Sequence, residues 1–242
     1  MRRRLALSIL ALAAGAAHAA PDDIVGPAFR HPAEGALVLL LLEKSTEPHL
    51  VPGDKLMLAQ LKSQLVIAGY RTAVLDYADY QLLEADEAAG GGERDPDGRL
   101  VVGLLARQRA LAKLARIAAE SSHCALVIRT RFVMRPAPVV DNFFAQWDGA
   151  RRALKLTDTA PRANPDGPGR TVVGALRGLG SGLSIELMAY DGDGALAFTT
   201  HGAVAVPYVT RLGEGRVEWR DDLFFGDGDV ADGMRIALAP MR

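Results

Sequence analysis

ALVLLLL, residues Ala36 to Leu42, is an unbroken aliphatic run set between Gly35 and Glu43. A strand with one wet face alternates apolar and polar residues. A short run without alternation predicts a strand covered on both faces. Downstream, Asp54 is placed to cap a helix whose Leu58, Leu61, Leu65 and Ala68 share one face, and Gly69 is placed to end it. Arg71 to Leu75 then reads as a second short strand. Strand, helix, strand is the order of a βαβ unit, for which a right-handed connection is expected.

Working outward, Tyr77 to Ala89 reads as a short helix and Gly90 to Gly98 as a surface loop. Leu104 to Ser121 predicts a second long helix, with Leu104, Leu111, Leu114, Ala115 and Ala118 inward and Arg109, Lys113 and Arg116 opposite. The later strands alternate. In Cys124 to Met134, Leu126, Ile128, Thr130, Phe132 and Met134 share one face, and Val127, Arg129, Arg131 and Val133 the other. Ala150 to Asp158 and Leu183 to Tyr190 read the same way, with Leu183, Ile185 and Leu187 inward. Asp191-Gly-Asp-Gly194 is a tight turn into a returning strand, Ala195 to Val206. Ala160 to Arg170 is a Pro- and Gly-rich loop, and Asp229 to Ala239 a short closing helix weakened by Gly233. The expected fold is a single α/β domain: a mixed sheet, helices packed mainly on its apolar face, and a late β-hairpin.

The chain opens with Arg2, Arg3 and Arg4, an apolar stretch from Leu5 to Ala17, and Ala17-His-Ala19. Positive, apolar, then small-x-small is the pattern of a secretory signal peptide, with cleavage after Ala19 or Ala20. The apolar stretch is shorter than the roughly 20 residues of a membrane-spanning helix. The expected location is therefore the periplasm or beyond, with residues 20–242 as the globular domain. Loss of the three arginines leaves 25 basic against 29 acidic residues, so no bulk charge draws the protein to nucleic acid or anionic lipid. Cys124 is the single cysteine; it excludes an intramolecular disulfide, and its apolar sequence setting predicts a buried thiol.

Four features taken together resemble the α/β domains of bacterial envelope accessory proteins, namely the curli-secretion-lipoprotein family and the amino-terminal domain of the Tol translocation protein. They are the aliphatic strand Ala36 to Leu42, a helix running into AGYRTAVLD (Ala68 to Asp76), a helix running into AESSHCALVIRTRF (Ala119 to Phe132), and the hairpin LSIELMAYDGDGALAFTTHGAVAV (Leu183 to Val206). The resemblance implies a non-enzymatic role in assembly or binding at the envelope. The leader holds no cysteine, so the site of lipid attachment of the lipoprotein members is missing.

Chemistry-bearing patterns are few. His31, His49, His123 and His201 have no ligand-like spacing, so neither a metal nor a cofactor is expected. The acidic residues Asp227, Asp229 and Asp232 suit a helix start better than a calcium loop. Gly178 to Gly182 lacks the lysine of a phosphate loop and precedes a strand. The candidate binding surface is a basic patch of Arg129, Arg131, Arg151 and Lys155, which converge if their strands pair, and which suits carboxylate or phosphate groups of an envelope partner. Glu186 lies on the same face, so the alternative is salt pairing across the sheet. The expected function is a non-catalytic binding or assembly-accessory protein. The alternative is a periplasmic hydrolase with a loop-assembled site using His123 or His201 with Asp191 or Asp227.

Overall fold

A computed structural model of the chain describes residues 22–91, 103–141, 143–157, 179–211 and 216–242. The expected signal peptide, most of the loop after Gly90 and the loop Ala160 to Arg170 lie outside them. Elements are numbered in chain order. The spine of the main sheet runs β1 (Ile24–Val25), β9 (Leu196–Ala205), β8 (Leu179–Asp191), β4 (Leu126–Asp141), β2 (Leu37–Leu42), β3 (Arg71–Val74). β2 is parallel to both β3 and β4, whereas β8 is antiparallel to β4 and β9. A hairpin of β5 (Phe144–Trp147) and β6 (Ala150–Ala153) extends from the far end of β4. β7 (Lys155–Thr157), β10 (Tyr208–Arg211) and β11 (Arg216–Trp219) form a separate small sheet.

The mixed α/β fold and the late β8–β9 hairpin are as the sequence predicts. The turn between them is built by Asp191, whose Oδ1 accepts from the amides of Asp193 and Ala195, with Gly194 at φ 73°.

The helices divide two and two between the faces, which corrects the expectation that they gather mainly on one. Val38, Leu40, Leu126, Ile128, Ile185 and Leu187 pack against Met57, Leu61 and Leu65 of α1 (Val51–Ile67) and Val230 and Met234 of α4 (Gly228–Ala237). On the other face, Leu39, Leu41, Val127, Met188 and Tyr190 meet Leu111, Leu114, Ala115 and Ala118 of α3 (Leu104–Ser122) and Tyr80 of α2 (Tyr77–Gly91). The cause is β2 itself. It is apolar at every position, and each aliphatic side chain fully buried contributes about 1.5–3 kcal/mol, so both faces demand a cover.

Three local expectations are also corrected. α1 starts at Val51 with a proline in its first turn; Asp54 is not its cap but accepts hydrogen bonds from the amide and hydroxyl of Ser45 (2.9 and 2.7 Å). Leu104 is 61% exposed at the start of α3. Gly233 is not a weak point but a contact. A Cβ on Gly202 of β9 would stand 1.9 Å from the Gly233 carbonyl oxygen, so α4 lies on the sheet backbone to backbone.

Candidate functional site

α2 and α3 cover only part of their face. Beyond them, the residues that alternate with the core become charged. Arg131 of β4, Glu186 of β8 and His201 of β9 stand opposite one another in a single row across three strands. Arg129, one pair further along β4, lies at the boundary under α2 and is 1% exposed.

These groups form a seam of ion pairs. Glu186 accepts from Arg129 Nη2 (3.0 Å) and from Arg131 Nε and Nη2 (2.7 and 3.2 Å). Glu43, just past β2, stands 3.5 Å from Arg129 and 3.7 Å from Arg131. His201 reaches Asp23 through Nδ1 (2.8 Å), lies 3.7 Å from Glu186 through Nε2, and donates its backbone amide to Asp23 (3.0 Å). The seam continues through Arg135, which pairs with Asp22 and with Asp148. Ser184 donates to Asp148 (2.7 Å) and accepts from the Trp147 indole N–H (2.9 Å). Asp148 and Gly149 both have positive φ, 39° and 78°, as the two-residue turn between β5 and β6 requires. That turn points the Asp148 carboxylate inward.

Electrostatics bind the seam together. Burial opposes charge on His201, but Asp23 and Glu186 outweigh it and raise the pKa to about 9, so the ring is an imidazolium at neutral pH. Burial likewise works against the Glu186 carboxylate, and the nearby His201 imidazolium, the hydrogen bonds from Arg131 and the charge of Arg129 hold it well below the usual carboxylate range. Arg129 is desolvated, yet Glu43, Tyr80 and Glu186 raise its pKa above the ordinary arginine value. A carboxylate between three cations is stable only while all stay in place.

The four basic residues of the expected patch are not brought together. Arg129 and Arg131 share the seam and are paired with carboxylates, as the salt-pairing alternative anticipates. The expected single strand Ala150 to Asp158 breaks at Leu154, and its halves join different sheets. Arg151 therefore lies on β6, its guanidinium 4.1 Å from the centre of the Phe144 ring. Lys155 lies on β7 and pairs with Asp222. Asp22, Asp23, Asp148 and His201 complete the seam and were not in the expected patch. The Asp-Gly pair at 148–149 is a hairpin signal that points to one of them; the partnership of His201 with Asp23 leaves no local signal.

The hydrolase pairs do not form either. His201 faces Glu186, five residues along β8 from Asp191, while Asp227 accepts from Gln60. His123 is the left-handed cap of α3 (φ 53°). Cys124 is buried, and burial pushes its thiol up. Asp22, Asp23 and His201 present ligand atoms within 4.8 Å of one another. Two side-chain cations, Arg135 on Asp22 and the imidazolium on Asp23, already supply the positive charge there. Asp229 and Asp232 are served by Arg152 and Arg235.

An open surface lies at the other end of the sheet. β3 is the terminal strand, and the amides of Arg71 and Leu75 donate to Ala36 (3.0 Å) and Leu40 (2.8 Å). In a parallel ladder the alternate residues, Thr72 and Val74, turn their N–H and C=O groups outward. Beside this edge, between β3, α2 and α3, runs a groove of about 540 Å³ floored by Leu39, Leu75, Leu83 and Leu114. Its rim carries Leu82 and Ile117, exposed by 72 and 47%.

We found no match to this chain among protein-family models, curated proteins or solved structures.

Proposed function

We propose that this chain is an exported protein of the bacterial envelope that works by binding, as an assembly-accessory component, rather than by catalysis. The observation that carries this reading is the β3 edge: backbone groups without a partner among the described residues, beside an apolar groove whose rim carries the exposed side chains of Leu82 and Ile117. The charged seam supports it from the other side, since each of its cations is engaged by a carboxylate of the same chain. The export pattern at residues 2–19 and the resemblance to envelope accessory domains are consistent with the same role.

The test is site-specific photo-crosslinking in cells. A photoreactive residue at Leu82 captures one reproducible envelope protein, identified by mass spectrometry of fractionated periplasm and membranes, and the same residue at Lys55 does not. Equal labelling from both positions, or no adduct from Leu82, overturns the proposal.

A further inference from the structure

We infer that the β3 edge takes an extended apolar segment of its partner as an added strand, seating alternate side chains in the groove between α2 and α3. This rests on the binding reading above and specifies its chemistry.

Three observations lead there. The first is backbone geometry. Thr72 and Val74 each present a donor and an acceptor at the sheet edge, with no partner among the described residues, and an incoming strand satisfies all four groups. The second is the character of the outward residues. Edge strands are ordinarily blunted by shortness, charge, proline, a bulge or a covering loop; β3 is short, at four residues, and begins with the charged Arg71, but Thr72 and Val74 are uncharged, neither is proline, and the strand pairs with β2 without a register shift. The opposite edge is shorter still, a strand of two residues, Ile24–Val25.

The third observation selects the occupant. A strand added at β3 turns every second side chain toward the face occupied by α2 and α3, because side chains alternate along a strand. The groove on that face has room for large side chains, about 540 Å³ between Leu39, Leu75, Leu83 and Leu114. A second copy of this chain offering its own β3 would present on this face only Ala73 at the centre, the charged Arg71 on one side and, on the other, Leu75, which already lines that copy's own groove, and so would leave the central room unfilled. A segment with large aliphatic or aromatic residues at alternate positions fills it.

A proline at position 74 separates strand addition from other modes. The Val74 N–H points away from β2, so Val74→Pro removes only the outward donor, while the amides of Arg71 and Leu75 keep their bonds to β2. The probe is a short blocked peptide of alternating leucine and threonine, titrated into the isotope-labelled protein. The expected result is slowed amide exchange and shifted resonances at Thr72 and Val74, and affinity reduced at least about tenfold by Val74→Pro but retained by Val74→Ala. Thermal unfolding of both variants verifies the fold. Peptide binding that Val74→Pro leaves unchanged, perturbations confined to other surfaces, or no binding overturns strand addition. A self-associated protein that Val74→Pro converts to monomer overturns it in favour of a second copy. Capture of an envelope protein at Leu82 in the face of any of these leaves the binding role standing and removes only the strand mode.

Discussion

Arg131 and Phe132 are consecutive residues of β4 that live in opposite worlds. Phe132 lies against the ring of Phe224 at 5.5 Å, beside Gly53, where a Cβ would collide with both rings. Arg131 faces Glu186, and beyond it His201, on a surface where almost every group is charged. Around Phe132 any well-shaped apolar neighbour gives stability, because burial is non-directional. Around Arg131 only particular partners do, because desolvating an ion costs several kcal/mol unless its counter-ions are in place. The two faces of one strand thus show two ways to hold a sheet: one tolerant of substitution within its volume, the other dependent on identity.

The sharpest way to break that contrast is at Glu186. Glu186→Gln leaves Arg129, Arg131 and His201 facing a neutral amide and is expected to cost about 3–5 kcal/mol in urea unfolding. A conservative change on the apolar face, Ile185→Val, costs about 0.5–1.5 kcal/mol. Equal losses would erase the distinction.

The pH dependence is the next largest effect. His201 has its pKa raised from 6.5 to about 9 in the folded protein. Its contribution is fully present below about pH 6.5 and is lost as pH rises through 9. Stability should therefore fall by up to about 3 kcal/mol across that interval, and His201→Gln should flatten that part of the profile. Glu186 acts in the opposite direction. Its contribution is present above the ordinary glutamate value and erodes as the solution is acidified below it. The smallest effect is expected at Lys155. Its pair with Asp222 is half exposed, so Lys155→Ala should change stability by no more than about 1 kcal/mol. A larger loss would tie β7 to the seam after all.

The sequence is unequally legible for the same physical reason. Alternation along Leu126 to Met134 places Arg129 and Arg131 on one face and their apolar neighbours on the other, and the structure shows that split. The run ALVLLLL already calls for cover on both faces, so the second helical layer is legible there, more so than in the alternating strands that suggest a wet face. Side-chain direction is a local property. Which strand lies beside which is not: Lys155 is four residues from Arg151 and belongs to another sheet. His201 and Asp23 are 178 residues apart and meet only because β1 pairs with β9. Neither the buried imidazolium nor the inward Asp148 follows from spacing, because both depend on register between distant segments.

The two aspartates just before β1 have a consequence in time. Asp22 bonds Arg135 across 113 residues, and Asp23 bonds His201 across 178. The first residues after the export pattern therefore find their counter-ions only when most of the chain is available. A chain emerging in order from its N-terminus cannot close the seam early, and contacts this distant in sequence form slowly. Until β9 exists, β1 and the aspartates before it have nowhere to dock, and Glu186 and Arg135 lack part of their neutralisation. Late closure of this kind makes the β1 edge of the sheet, with its two aspartates, one of the last parts of the fold to form.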